Sequence, residues 1–247
     1  MNFLLMNPFS TPYEEWNERN PTHEEMLEAI GLGQPMPDSI KLSLKAKLSN
    51  HRDVGEFMLN EVANNRLGFY IDDFLRESSE FKANLAAMPT EDPEHIYAYK
   101  HLYPSCDLEL VSEDISSFGG LLPDGQFLFH GGYLPIGVGQ VFVTDRPLST
   151  SLCPQVAVRN GDWHGKAFDR GEIHLAVIRM TNPRTKSYVF DLDGELGNEK
   201  ELLLASGLKL TLVGKTLIRE DFPTYKTNGL SPLEKPVPAY LLEFEAE

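Results

Sequence analysis

Beyond about residue 105 the sequence consists of short apolar runs separated by clusters of glycine, proline and aspartate. The runs are rich in valine, isoleucine, leucine and phenylalanine, which is the composition of half-buried strands. Among them, only PQVAVRN at 154–160 predicts a helix. We therefore expect a mostly antiparallel sheet with few helices, and with strands at 126–130, 140–144, 173–180, 188–192, 199–204, 208–213 and 239–244.

The first hundred residues show helical spacing instead. Thr22 and Glu25 form a capping-box pattern, and Gly31 stands where that helix would stop. Apolar stripes at 54–62 and 71–85 predict two longer helices, which end at Gly68 and Pro89. The lysines and the alanine between the apolar residues of 40–48 favour a short helix there over a strand.

These patterns together predict an α+β fold. The segment 89–104 holds three prolines and mixed charge, so we place a linker there. The predicted organisation is a helical N-terminal region at 1–104, followed by a sheet domain at 105–247.

The chain is strongly acidic, with a formal net charge of −15. Such a surface repels phosphate backbones and forgoes counterion release, so nucleic acid is disfavoured as a partner. The charge suits solubility, and it also suits a protein partner with a basic surface. No apolar run reaches the roughly 18 residues of a membrane span, so no membrane partner is expected.

The two cysteines, Cys106 and Cys153, have neither a metal spacing nor a disulfide pattern. We expect both to be buried and inert in a reducing, cytoplasmic compartment. The N-terminus lacks a basic region followed by a long apolar run, so no Sec signal is expected. Delivery into host or target cells would then require a specialised secretion system.

A carboxylate pair offers the clearest chemistry. Glu199 and Glu201 lie two residues apart at the start of an apolar run. On a strand they would share one face, about 7 Å apart. One carboxylate could stabilise a cationic sugar intermediate while the other activates an acceptor, although exposed strand edges often carry such pairs for no chemical reason.

Two further clusters accompany the glutamates. The triplet Ser149-Thr150-Ser151 offers hydroxyls that either satisfy backbone groups or fix a carboxylate rotamer. His130 ends an apolar run, and Gly131 follows it, which allows close approach of a backbone or a flat ligand. A histidine in that position has either a structural or a functional role.

In this order, the stretches LFHGG, DRPLSTSLCPQVAV and NEKELLLASGLKLTLV resemble the ADP-ribosyltransferase superfamily. The STS triplet and the Glu-x-Glu pair are similar to those of its arginine-serine-glutamate class. The resemblance covers roughly residues 120–247. It implies a split, mostly antiparallel sheet, NAD⁺ as substrate and no metal.

The resemblance also implies roles for individual residues. Glu201 matches the glutamate that holds the nicotinamide ribose and stabilises its oxocarbenium ion, and Glu199 matches the glutamate that activates the acceptor. Ser149 matches the serine that bonds the catalytic glutamate. The remaining cofactor-binding positions that it implies are His130, Gly131, Thr150, Ser151, Trp163 and Arg146.

Two loops complete the resemblance. The loop 190–198 corresponds to the acceptor-recognition loop of the family. Trp163 corresponds to a loop aromatic that packs on nicotinamide, and it is equally compatible with a role as an ordinary core or hinge aromatic.

His130 departs from the class, which has arginine at this position. Histidine followed by glycine is similar to the poly-ADP-ribose polymerase branch, but the tyrosine of that branch is missing here. A neutral histidine can donate to a ribose hydroxyl, but it cannot clamp a pyrophosphate as arginine does. The cations that could serve the phosphates are Arg146, Arg159, Lys166 and Arg170.

The expected function is that of a mono-ADP-ribosyltransferase acting on a protein side chain, as a bacterial effector or toxin. An NAD⁺ glycohydrolase and an inactive binding module on the same fold are the alternatives. The acceptor residue is arginine by family analogy, or threonine or serine if the histidine changes the preference. A host protein such as ubiquitin is one conceivable acceptor, and the helical region would either dock the target or support the sheet.

Overall fold

The computed structural model describes residues 1–229 and 231–247. The chain divides into two compact units, which are described separately. The small unit is Phe9–Asn50, and the large unit combines Met1–Pro8 with His51–Glu247.

The small unit contains strand β1 (Tyr13–Arg19), helix α1 (His23–Gly31) and strand β2 (Ile40–Leu48). The predicted capping box is confirmed: the Thr22 hydroxyl accepts from the Glu25 amide, and the Glu25 carboxylate accepts from the Thr22 amide. Arg19 also bonds Glu25, at 2.6 Å, and this hydrogen bond is the main reason that the pKa of Glu25 is lowered to about 2.

The helix predicted at 40–48 is wrong, because this segment is β2 and pairs antiparallel with β1. Ile40, Leu42 and Leu44 alternate with polar residues, which is the period of a strand. The helix propensity of the intervening lysines was outweighed by pairing with a neighbouring strand.

Helices occupy the first part of the large unit. They are α2 (His51–Glu61), α3 (Asn65–Glu77), α4 (Ser79–Ala86), α5 (Glu94–Leu102) and α6 (Leu108–Phe118). The stripe predicted as one helix at 71–85 is interrupted at Ser78, whose hydroxyl caps α4 by accepting from the Phe81 amide at 3.1 Å. The predicted linker at 89–104 contains α5, which begins directly after Pro93.

The division of the chain also differs from the predicted domains at 1–104 and 105–247. Helices α2 to α6 belong to the same compact unit as the sheet. Within this unit, α2 packs on the strands Ile173–Met180, Lys209–Asn228 and Ser231–Ala246, and α6 packs on the strands Lys186–Val189 and Glu201–Leu204. Helix α6 was not predicted, because residues beyond 105 were interpreted as strands.

The remaining elements of the large unit are mostly strands. They are β3 (Gly120–Leu121), β4 (Phe127–Gly131), β5 (Val141–Val143), β6 (Leu148–Ser151), α7 (Pro154–Asp162), α8 (Lys166–Arg170), β7 (Ile173–Met180), β8 (Lys186–Val189), β9 (Glu201–Leu204), β10 (Lys209–Asn228) and β11 (Ser231–Ala246). Short 3₁₀ turns lie at Trp163–Gly165 and Gly197–Glu199.

Within the described residues, nine strands form one sheet in the order β3-β8-β9-β6-β4-β7-β11-β10-β5. Neighbouring strands are antiparallel except β7 and β11, which are parallel. The predicted mostly antiparallel sheet is therefore confirmed. Among the described residues, β4 and β6 pair at a single position, Phe129 opposite Ser151. The sheet is thus nearly divided between β4 and β6.

The core lies where helices cover this sheet. Leu128, Val177 and Leu202 are buried on its central strands, and Ile71 and Leu75 are buried on α3. Each such side chain contributes about 1.5–3 kcal/mol by leaving water. This packing holds β4, β6 and β9 in fixed positions.

The two cysteines are free thiols; Cys153 is buried as predicted, while Cys106 is partly exposed. In 1–229 and 231–247, no helix is long and apolar enough to cross a membrane. The same residues contain no group of histidine, cysteine and acidic side chains that could hold a metal ion.

Candidate active site

The STS strand and the glutamate strand are neighbours in the sheet. Ser151 on β6 lies opposite Glu201 on β9. The Ser149 hydroxyl donates to Glu201 Oε1 at 2.5 Å, a short hydrogen bond of the kind that a charged acceptor favours. The structure therefore brings together Ser149 and Glu201 across two adjacent strands.

The carboxyl group of Glu201 is buried. The residue lies at the start of β9, and only 8% of its surface is exposed. Loss of hydration raises the pKa of Glu201 to about 7; the Ser149 hydrogen bond opposes this rise, and the charge of Glu199 adds to it. Carboxyl groups with such raised values cluster at functional sites.

Glu199 reaches the same site by a different geometry from the one predicted. It lies in the 3₁₀ turn Gly197–Glu199, and Lys200 follows in the left-handed region with φ 49°. The shared strand face expected for Glu199 and Glu201 is therefore wrong. The turn still leaves the two carboxylates close enough for the charge of Glu199 to act on Glu201.

Glu199 is half-buried, and loss of hydration raises its pKa. The positive charge of Arg159 on α7 opposes that rise. Glu199 thus interacts electrostatically with both the Glu201 carboxyl group and the Arg159 guanidinium group. This environment differs from that of Glu201, which has a direct hydroxyl donor.

The other two hydroxyls of the STS triplet bond backbone carbonyls. Thr150 Oγ1 donates to Leu202 O at 2.6 Å, and Ser151 Oγ donates to Glu199 O at 2.6 Å. Both residues are 3% exposed. Their hydroxyls therefore tie β6 to the segment that carries the two glutamates, and this differs from the cofactor contacts that the resemblance implied.

Helix α5 supplies two side chains that the sequence analysis missed. Tyr99 Oη lies 3.5 Å from Glu201 Oε1, and burial is the main reason that the pKa of Tyr99 is raised well above its usual value. The positive charge of Lys100 favours the ionised form of Glu201. Lys100 Nζ is 3.4 Å from Asp92, which also accepts from the Tyr188 hydroxyl at 2.9 Å.

His130 is a residue of β4, and its side chain reaches β6 where these two strands share a single residue pair. Its Nδ1 is 2.7 Å from Ser149 O. Because a carbonyl can only accept, Nδ1 must carry the proton. Burial, followed by the charges of Lys166 and Arg146, lowers the pKa of His130. The neutral ring therefore has a lone pair on Nε2, which can accept a hydrogen bond but cannot donate one.

Gly131 is required by packing. A Cβ atom at this position would lie 1.5 Å from Ala157 O on α7, so any side chain would force α7 away from β4. The residue is the last of β4 and pairs with Leu175 on β7. The glycine is thus explained by the close approach of α7, whatever else its backbone binds.

Trp163 is exposed in the turn after α7, with 55% of its surface accessible. It borders a cleft of about 530 Å³ that is also lined by Arg159, whose charge acts on Glu199. Glu201 does not line this cleft. The cleft is lined by Val62, Ala63, Gln155, Val158, Arg159, Asp162, Trp163, His164, Gly165, Phe222, Pro223, Tyr225, Lys226 and Thr227.

A second cleft of about 450 Å³ lies between the end of β4 and α8. Lys166 lines it, as does Arg170, whose guanidinium group stacks on the Tyr133 ring at 3.4 Å from its centroid. Arg146 and Lys166 make no ion pair within the described part of the chain. The other residues of this cleft are Gly132, Gly161, Ala167, Asp169, Glu172 and His174.

No protein-family model and no curated protein sequence matches the chain. Solved structures with similarity include the enzymatic component C2-I of the C2 toxin from Clostridium botulinum, at 12% identity and a TM-score of 0.40. The alignment covers 70% of this chain and 49% of C2-I, so the chain spans about half the length of that protein.

Vis toxin, an ADP-ribosyltransferase from Vibrio splendidus, is similar at 14% identity and a TM-score of 0.35, over 93% of this chain and 88% of Vis. Exoenzyme S from Pseudomonas aeruginosa, solved with human 14-3-3 protein beta and carba-NAD, is similar at 17% identity and a TM-score of 0.35. That alignment covers 78% of this chain and 88% of exoenzyme S. At these scores the similarity assigns neither a family nor an activity to the chain.

Proposed function

We propose that this chain is an NAD⁺-dependent mono-ADP-ribosyltransferase that modifies a protein side chain. The observation that carries the proposal is the buried Glu201, held at 2.5 Å by Ser149 and influenced by the charge of Glu199. A positioned carboxylate pair suits chemistry through a sugar cation. The order of the STS and Glu-x-Glu motifs in the sequence supports the same activity.

In the proposed reaction, the bond between the ribose C1′ and the nicotinamide nitrogen breaks, and the electron pair leaves with nicotinamide. Ionised Glu201 accepts a hydrogen bond from the adjacent ribose hydroxyl and stabilises the oxocarbenium ion. An acceptor side chain then forms a new bond to C1′ and loses a proton, which Glu199 takes as general base. No metal is assigned a role in this scheme.

The bound substrate helps to ionise Glu201. With its pKa raised to about 7, Glu201 titrates near neutral pH in the free protein. The positively charged nicotinamide ring of NAD⁺ would favour the carboxylate further. The Ser149 hydroxyl contributes in the same direction, because it donates to the ionised oxygen.

Replacing Ser149 with alanine tests that contribution. Without the hydroxyl, the pKa of Glu201 rises above about 7, so a smaller fraction is ionised at neutral pH. We expect the acid limb of the pH–rate profile to move to higher pH, and the rate at pH 7 to fall by about tenfold. Nicotinamide release measured from pH 5 to 9 checks this, and an unshifted limb would contradict it.

For the NAD⁺ phosphates, we propose Arg146 and Lys166 as the binding cations. Both act on His130 electrostatically, and neither is neutralised by an ion pair among the described residues. His130 Nε2 would accept from a ribose hydroxyl, in place of the donation suggested by the sequence. The second cleft would then hold the adenosine end of the substrate beside Lys166 and Tyr133.

Substituting glutamine for Arg146 or Lys166 should therefore raise the KM for NAD⁺ by about tenfold with little change in kcat, as expected for one lost charge-assisted bond. The exposed Lys82 on α4 offers a matched control. The wild-type KM should also rise more steeply with salt than that of either variant. Unchanged KM values in both variants would remove these residues from the substrate site.

The acceptor is proposed only as a protein side chain, because no feature of the described residues selects ubiquitin. A role as a bacterial effector or toxin belongs to the same proposal. The deciding experiment incubates the protein with labelled NAD⁺ and cell lysates, followed by mass spectrometry of modified proteins. Label on a protein supports a transferase, free labelled ADP-ribose alone identifies a glycohydrolase, and no binding by calorimetry identifies an inactive module.

A further inference from the structure

Lys200, the residue between the two glutamates, is a buried cation. Its side chain is 5% exposed, and its ammonium group lies 3.0 Å from Asp72 Oδ1 on α3. The same ammonium donates to Asn198 O at 3.1 Å. Lys200 Nζ therefore links the turn that carries Glu199 to a helix that lies more than a hundred residues earlier in the sequence.

The backbone around Lys200 is fixed on its other side by β6. Lys200 O accepts from the Leu152 amide at 3.2 Å, and Glu199 O accepts from the Ser151 hydroxyl. Lys200 itself has φ 49°, a left-handed conformation that is unfavourable for a residue with a side chain. The turn is thus held in an unfavourable conformation by contacts on both sides.

Helix α3 is a rigid support for Asp72. Leu67, Ile71 and Leu75 are fully buried on the face of the helix that Asp72 flanks, and Asn64 caps its first turn. An anion on this helix has a fixed position relative to the sheet. A buried ammonium without such a partner is costly, so Lys200 and Asp72 constrain each other.

We propose that Asp72 is a positioning residue, which sets the separation of Glu199 and Glu201 by fixing Lys200. This inference rests on the proposed function, because it concerns the same pair of carboxylates. It gives α3 a role in catalysis: the helix determines where the turn before β9 lies. Neither Asp72 nor Lys200 touches substrate in this account.

The test is Asp72→Asn, with Asp73→Asn as the matched control. Asp73 is the next residue of α3, is exposed, and undergoes the same chemical change. With NAD⁺ as the probe, we expect Asp72→Asn to lower the kcat for nicotinamide release about 10- to 100-fold, as a displaced catalytic group does. The KM for NAD⁺ should stay within about twofold, because substrate binding uses other residues.

The double variant Asp72→Asn with Lys200→Met covers the case in which Asp72→Asn fails to fold. It buries no uncompensated charge, so its thermal midpoint should lie close to that of the wild type, while its kcat stays low because the link from the turn to Asp72 is missing. A wild-type kcat in either folded variant overturns the inference. If the wild-type protein releases no nicotinamide, the proposed function fails instead, and the two failures are thereby distinguished.

Discussion

Replacing Glu201 with glutamine should lower nicotinamide release by about 10²- to 10³-fold or more, which is the usual loss when one preorganised electrostatic contact is removed. Glutamine matches the size of glutamate but carries no charge, so it cannot stabilise the oxocarbenium ion. It can still accept from Ser149, whose hydroxyl lies 2.5 Å from Glu201 Oε1 in the wild type. The site should therefore keep its shape.

The measurement is the initial rate of nicotinamide release from NAD⁺, with calorimetry of NAD⁺ binding as the control. Binding within about threefold of wild type would show that the loss lies in the chemical step. A fully active Glu201→Gln protein would falsify the assignment of the catalytic carboxylate. It would also leave the raised pKa of this buried group without a role.

Glu199→Gln should separate transfer from cleavage. Without the second carboxylate, no general base takes the proton of the acceptor, so protein labelling should fall by about 10²-fold or more. Nicotinamide release should persist, because Glu201 and Ser149 remain in contact. The charge of Glu199 raises the pKa of Glu201, so its removal should move the acid limb of the pH–rate profile to lower pH.

This prediction needs both readouts on one preparation, namely label incorporated into protein and nicotinamide released. Equal losses in the two would mean that Glu199 supports the cleavage step instead of the acceptor. An acid limb that moves upward would contradict the electrostatic coupling between the two carboxylates. Arg159 is not a suitable control, because it acts directly on Glu199.

The residues of the candidate site were predictable in part because they lie in compact motifs. Ser149 and Glu201 were both identified from local sequence, and the structure joins them by one hydrogen bond. The short apolar runs after residue 105, separated by clusters of glycine, proline and aspartate, also predicted the antiparallel sheet. Each of these signals is local, and each involves residues whose type is dictated by strand pairing or by chemistry.

The missed contributions depend on long-range packing. Tyr99 and Lys100 lie on a helix in the segment predicted as a linker, and only folding brings them to Glu201. Asp72 was not identified from the sequence. No short-range pattern connects it to Lys200, because the contact spans more than a hundred residues.

The position of Glu199 shows that residue spacing alone does not determine local backbone geometry. Two glutamates at i and i+2 suggested a strand, but a left-handed residue between them changes the direction of the chain. Lysine rarely adopts that conformation, so nothing in the local sequence indicated a turn at this position. The buried ion pair that stabilises the conformation could be seen only in the folded chain.

The raised pKa of Glu201 has a consequence for the folded state itself. Its pKa is about 7 in the fold, against 4.5 for an unperturbed glutamate, so the native chain binds a proton more tightly than the unfolded chain. This group favours folding fully below pH 4.5, and that contribution is lost as the pH rises through about 7. Folding thus prefers the neutral acid, whereas the proposed catalysis requires the anion. In the proposed enzyme, the ionised form of this buried carboxyl group lowers conformational stability and supplies the reactive charge.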